Sequence, residues 1–474
     1  MKQNITLSIS ITGLSLMAIM VGGCLSTPVS DRVVEGVPQV ESVCSKLGVE
    51  PTWAEVASSW WQVFQDPELN ALVETVLADN TSLRAAWLRL EQSGYAAQAT
   101  RGSFYPQLSL NGFGGRTRRL QAPGGVLDET ETWGASAAAS YELDVWRRVS
   151  AAVDQADLTA KATFYDYETM AISLSASVCE AWFDVNERML LANLLQAQLK
   201  SSADNLEAVE ERYRRGLGSL LDVYQQRQLV AGVRAQIPSV EAAIIQARNR
   251  LAVLAGLLPG ESTVYGAGQL PVPPSPLETD IDAFVAEDRP DVLAALARLG
   301  AAERGAALAM RERFPQFRLT ASAGSQEDDA GDLLDTITGE ALLGVSMPLV
   351  DGGRRRAETE RARTAVAERL ELYAETVRQA MREIHDARVL ELNQRETVAR
   401  LEEELAATRQ TLDLSSERYR AGLTDFLNVL TAQSRVHQLE RSVISARRQQ
   451  LAYRVQYCRA LSGSDVETRK RKGK

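Results

Sequence analysis

"ERYRRGLGSLLDV" (211–223) returns as "ERYRAGLTDFLNV" (417–429), 206 positions further on. That offset is far too long for a solenoid repeat and suits a duplicated half-chain. Each copy closes a run without Gly or Pro: 145–215 in the first half, 354–421 in the second. Runs of about 70 residues predict helices about 100 Å long at 1.5 Å per residue. Gly216 and Gly422 can adopt the left-handed conformation that ends a helix, and the arginines before them complement its carbonyl end. Shorter helical runs follow, at 219–255 and 424–461. Each half therefore holds a helical hairpin with unequal arms, and Pro238 predicts a kink in the first short arm.

The second long run shows its packing period. Val366, Leu370, Tyr373, Val377, Ala380, Ile384 and Ala387 alternate steps of four and three, the seam of a coiled coil. Glu391 and Gln394 then occupy seam positions before Val398, Leu401, Leu405 and Leu412 resume the phase.

Ahead of each long run lies a different periodicity. "LSLNGFGG" (108–115) and "TWGASAAASYEL" (132–143) bracket a polar, Gly-rich loop. "FRLTASAGS" (317–325) and "LLGVSMPLV" (342–350) do the same in the second half. Trp133, Ala135, Ala137, Ala139, Tyr141 and Leu143 fall on one face, and Gly134, Ser136, Ala138, Ser140 and Glu142 on the other. Nine to eleven alternating residues is the length of a tilted strand crossing a bilayer, although an ordinary half-buried hairpin alternates too. Four strands cannot close a barrel, and open edges are not tolerated in lipid. Membrane strands would therefore require an oligomer, and three chains would supply twelve.

Composition agrees with extended helices. Of 474 residues 45% are hydrophobic but only 6% aromatic, and the formal charge of −10 gives no case for nucleic acid. The basic "RKRKGK" end reads as a solvated tail. The first residues, "MKQNITLSISITGLSLMAIMVGGC", combine Lys2, a short interrupted apolar stretch and small residues before Cys24. They read as an export signal, with an uncleaved anchor helix as the alternative. "VGGC" resembles the bacterial lipobox, with Gly22 where Ala or Ser is commoner, and so implies acylation of Cys24. No Asp follows at the second place, which by analogy implies delivery to the outer membrane. Cys44, Cys179 and Cys458 remain and have no metal-ligand spacing. Cys179 and Cys458 lie 35 and 34 residues from their hairpin tips, so a disulfide between them is conceivable and buried free thiols are the other reading.

The expected organisation is a signal peptide over 1–23 and an N-terminal segment over 24–60. A first repeat covers 61–256, with strands at about 106–116 and 132–143 and a hairpin at 145–255. A Pro/Gly-rich linker covers 257–288. The second repeat covers 289–462, with strands at about 316–325 and 341–350 and a hairpin at 353–462, and a tail covers 463–474.

Several words in this order resemble the TolC-like outer-membrane efflux proteins, in their lipoprotein branch. They are "WWQVFQDPELNALV", "SYELDVWRRV", "RPDVLAA", "PLVDGGRRRA" and "ERYRAGLTDFLNVLTAQ", which together span 53–462. The resemblance implies a mainly helical protein with membrane β structure. A homotrimer would form a 12-stranded outer-membrane barrel continued by a 12-helix periplasmic tunnel. It implies a passive exit duct, joined by a periplasmic adaptor to an inner-membrane pump, most often of the resistance-nodulation-division type. No enzyme motif and no cofactor or metal motif is found, and His385 and His437 read as helix-face residues.

The resemblance further implies a gate at the two hairpin tips. Mapped by motif, its candidates are Tyr213 and Asp222 in the first hairpin, and Tyr419, Thr424, Asp425, Asn428 and Thr431 in the second. Relatives often carry acids where Asn428 and Thr431 stand, so Asp222 and Asp425 are the candidates for a charged ring. A simple helix-start role is the alternative for both. Gly216, Leu217, Gly422 and Leu423 would turn the tips and meet the adaptor. The readings from other classes are a periplasmic adaptor, which would carry one hairpin between small β domains, and a structural coiled coil.

Overall fold

The computed structural model of the chain describes residues 60–121, 126–260, 266, 268–273, 288–333 and 335–461. Cys24, Cys44, the expected signal peptide and tail, and most of the expected linker lie outside the described residues. The described residues all belong to one unit, Thr52–Lys474.

Two short helices come first, α1 (Pro67–Asp79) and α2 (Thr81–Arg101). Asp66 caps α1 by accepting from the Glu68 and Leu69 amides at 3.1 Å, with Pro67 preset for the first turn. Its other oxygen accepts from the Trp182 indole at 2.8 Å, so the cap also docks α1 on the helix carrying Trp182. Asn80 caps α2 in the same way and donates to the Leu254 carbonyl at 2.8 Å.

Four strands form one antiparallel sheet in sequence order: β1 (Gln107–Gln121), β2 (Val126–Leu143), β3 (Gln316–Glu327) and β4 (Thr338–Ser346). The first pair is longer than expected, and most of the polar segment between them is strand rather than loop. Cross-strand pairs explain this, because Arg116 meets Glu131 and Arg118 meets Glu129, so the charges sit opposite partners. β4 stops at Ser346 instead of reaching 350, since Pro348 has no N–H to give the ladder.

The register sorts the sheet into two faces. Leu108 and Leu110 stand opposite Ala139 and Ala137, which stand opposite Ala321 and Ala323; Leu319 and Phe317 meet Leu343 and Val345. The reverse face carries Asn111, Ser136, Ser140, Thr320 and Ser322. Leu108 and Leu110 are each 80% exposed in the single chain, which an aqueous sheet would not leave so.

The long arms are α3 (Arg148–Arg214) and α6 (Arg354–Arg420), 67 residues each; the short arms are α4 (Leu220–Leu254) and α7 (Phe426–Ala460). Asp144 opens α3 by accepting from the Val149 and Ser150 amides at 2.8 Å, and Asp351 opens α6 through the Gly353 and Arg355 amides. Burial works against the Asp144 carboxylate, but the bonds from Ser150 and its neighbours outweigh it and hold the group below its ordinary range. Helix α4 runs on through Pro238, which costs it one backbone bond without ending it.

Helix α5 (Pro290–Arg311) packs on both long arms, and α3 packs on α7, so the two halves share one body. Its core gathers Trp61, Leu69, Val73, Val178, Trp182 and Phe183 with Leu451 and Val455 of α7. Where strands meet helices the halves are tied again. Trp146 donates to the Pro315 carbonyl at 2.8 Å, its ring lies 5.1 Å from Phe314, and Arg311 donates to the Arg147 carbonyl at 2.7 Å. No helix among the described residues is long and apolar enough to cross a membrane.

Candidate functional site: the paired hairpin tips

Both tips are built by one backbone device. Gly216 and Gly422 each take φ +73°. Leu217 N–H bonds the Arg212 carbonyl at 2.9 Å and Gly216 N–H the Tyr213 carbonyl; Leu423 and Gly422 repeat this on Arg418 and Tyr419. This is a Schellman turn, which satisfies carbonyls that the helix end would otherwise strand. A side chain at either glycine meets open space, so the positive φ alone explains the residue.

The side chains break the symmetry. Tyr419 donates its hydroxyl to Asp222 at 3.2 Å, across the two hairpins. The same Asp222 oxygen accepts from the Ser219 amide, and Ser219 caps the Leu221 amide, so Asp222 completes a capping box as well. Helix-start role and cross-hairpin link are thus carried by one carboxylate. Burial, then the Asp222 charge and hydrogen bond, raise the Tyr419 phenol above its ordinary value, which keeps the donor protonated.

Arg212 completes the arrangement. Its guanidinium lies 4.8 Å from the Tyr419 ring centroid and donates to the carbonyls of Arg420 at 3.3 Å, and of Leu217 and Tyr419 at 3.4 Å. One side chain therefore grips both turns. The Tyr419 ring also leans on Phe426 at 5.1 Å, above a small core of Val209, Val223 and Val429.

The other residues singled out in the sequence lie apart from this cluster. Asn428 donates to Thr424 at 2.7 Å within its own hairpin, and Thr431 bonds the Leu427 carbonyl. Tyr213, Asp425 and Thr431 are exposed; Asp425 caps α7 without a side-chain bond. Leu217 and Leu423 are 64% and 72% exposed, with Leu220, Leu221 and Leu427 beside them. The tip thus ends in an apolar rim. Arg212 was missed in the sequence because its twin, Arg418, stands in the same word.

Above the tips a polar ladder joins the hairpins. Gln226 donates to the Ser202 carbonyl at 2.8 Å within the first hairpin, and the rungs across are Gln433 to the Ser202 hydroxyl at 3.4 Å and Gln198 to the His437 carbonyl at 3.2 Å and to Glu440 at 2.8 Å. Burial pushes the His437 imidazole below its usual value, which favours the neutral ring; His385 is exposed. Among the described residues no His, Cys, Asp and Glu group could hold a metal ion.

A sheet with one apolar face, carried on two hairpins of about 100 Å, is the protomer architecture of an outer-membrane channel with a helical tunnel. The sequence model of the outer membrane efflux protein family matches residues 72–257 and again 285–463, and the chain belongs to that family. The double match falls on the two halves. The chain is 28% identical to the probable efflux pump outer membrane protein TtgC of Pseudomonas putida, over 97% of this chain and 96% of that one. It is 27% identical to the pyoverdine export outer membrane protein OpmQ of Pseudomonas aeruginosa, over 96% and 97%. Among solved structures it superposes on the outer-membrane channel OprN with a TM-score of 0.80 at 25% identity, covering 85% of this chain and 92% of that one. VceC of Vibrio cholerae, at 24% identity, has the same fold, with a TM-score of 0.77 over 85% and 98%.

Proposed function

We propose that three copies of this chain form one outer-membrane exit duct for efflux. The carrying observation is the four-stranded sheet with its continuous apolar face, whose β1 and β4 edges pair with no further strand among the described residues. Three such sheets, edge to edge, make a closed 12-stranded barrel with the apolar face toward lipid. Their six hairpins continue it as a periplasmic tunnel. Acylation of Cys24 would anchor each chain to the outer membrane.

The tips are the proposed gate. Tyr419–Asp222 and the Arg212 grip hold each chain's two hairpins together at the tunnel end, and threefold symmetry repeats the latch three times. Separating the hairpins there widens the mouth. Asp425, exposed and free of a capping bond, is available to line it. The apolar rim of Leu217 and Leu423 suits a periplasmic adaptor, which would connect the duct to an inner-membrane pump of the resistance-nodulation-division type. Relatives of near-equal identity are named for pyoverdine export and for antibiotic efflux, so cargo choice is assigned to the pump.

The test is a deletion strain. Loss of the gene should sensitise cells to compounds that the partner pump exports, and the restored protein should fractionate with outer membranes as a heat-labile trimer that conducts in planar bilayers. A soluble monomer without conductance sinks the reading.

A further inference from the structure

Two cysteines lie on different hairpins, and the duct mechanism uses neither. Cys179 of α3 is fully buried among Trp182, Phe183, Leu451 and Val455, the last two on α7. Cys458 follows Val455 by three residues and Leu451 by seven, which places it on the same stripe of α7.

The antiparallel register of α3 and α7 fixes their levels. Glu187 bonds Ser445, Gln198 bonds His437 and Ser202 bonds Gln433, pairs whose numbers total 632, 635 and 635. Cys179 and Cys458 total 637, two off the lower two pairs and five off Glu187–Ser445, an axial offset of about 3–8 Å that brings the thiols to neighbouring levels. Both thiols are unbonded in the structure. Burial raises both thiols, Cys458 to about 12, and the proximity of Cys458 raises Cys179 further.

We propose that Cys179 and Cys458 are a redox pair, oxidised to a disulfide that rivets the long arm of the first hairpin to the short arm of the second. The inference rests on the periplasmic placement of the helices, where disulfides persist. Each thiol gives up its proton, the two sulfurs join, and two electrons pass to the disulfide of a periplasmic dithiol oxidase, which leaves as a dithiol. The attacking species is a thiolate, which burial suppresses. The bond therefore forms before the helices close over Cys179, and packing afterwards shields it. At 35 residues from the first tip the rivet sits about 50 Å from the gate, so the tips part while the barrel end stays fixed.

The experiment traps thiols in intact cells with acid, denatures the protein in N-ethylmaleimide without reductant, and maps the cysteines by mass spectrometry. Cys179 and Cys458 should escape alkylation and appear as one cross-linked peptide pair, two hydrogens lighter than its separate peptides, and both should be alkylated once dithiothreitol is added first. In Cys179→Ser, Cys458 should become alkylatable without reductant, a readout that does not depend on native folding. Alkylation of both residues in the unreduced wild type, or linkage of either to Cys44, overturns the proposal; neither outcome bears on conductance, so the duct reading is tested separately.

Discussion

The hydroxyl of Tyr419 is held 3.2 Å from Asp222 of the other hairpin, and no second bond of this kind joins Asn428, the position equivalent to Asp222, to the first hairpin among the described residues. The proposed latch is single in each chain and threefold in the trimer. Tyr419→Phe keeps the ring under Arg212 and removes only the donor, at about 1 kcal/mol for a half-exposed bond. Three links lost together amount to about 3 kcal/mol, a shift on the order of a hundredfold in the closed-to-open ratio. Single-channel recording in planar bilayers should show that rise in open probability, and Asp222→Asn should match it in direction. Wild-type gating in both variants would remove the latch from the mechanism.

Glu391 and Arg454 make the second test. They pair across the α6–α7 seam with side chains 8% and 1% exposed, and burial outweighs the pull of Arg454, leaving the Glu391 carboxyl above its ordinary range. Glu391→Ala takes the carboxylate from beside a buried guanidinium and should cost about 3–5 kcal/mol per chain. Glu391→Met with Arg454→Leu removes both charges and should recover most of that loss. Thermal dissociation of the trimer reads both, and equal melting of single and double variants would contradict the account.

Burial also raises the Glu168 carboxyl on α3, to about 7. Its folded value lies above its unfolded one, so the native state holds the proton longer. Stability is therefore full below about pH 4.5 and declines as pH rises toward 7, by roughly 3 kcal/mol in all. Glu168→Gln keeps the shape without the charge. The variant should melt higher than wild type at pH 8 and alike at pH 4.5; a gap independent of pH would exclude the titration.

Facing in the barrel is open to a matched pair. Leu110→Arg puts a charge on the apolar face, at about 2–4 kcal/mol if near the membrane centre. Ser322→Arg puts the same group on the polar face, beside Glu340, to which Ser322 donates at 3.1 Å. Trimer yield in outer membranes should fall for the first and hold for the second. The reverse order would turn the sheet inside out.

How much of this was legible in the sequence varies with the kind of information each feature needs. The seam residues Ala380, Ile384, Ala387, Val398 and Leu405 are all buried, as their spacing requires. Leu370, on the same spacing, is 52% exposed. Helix α7 ends at Ala460, which the Glu391–Arg454 register sets opposite residue 385, so nothing of α7 reaches Leu370. Periodicity says that a face is to be covered and not by which helix. The tip turns were legible because glycine at positive φ is a local requirement. Arg212 was not, because "ERYR" occurs twice and only the fold decides which copy reaches across. The strand ends were misjudged for a related reason: Arg116 and Arg118 look like loop residues until Glu131 and Glu129 stand opposite.

The edges of β1 and β4, which pair with no other strand among the described residues, have a genetic consequence. A barrel shared by three chains cannot be repaired by its sound members, because one faulty edge leaves a gap that lipid will not accept. In a cell making equal amounts of normal and edge-damaged chain, only about one duct in eight would be built wholly of normal protein. Edge mutations in this protein should therefore be dominant, and those confined to the interior of one helix recessive.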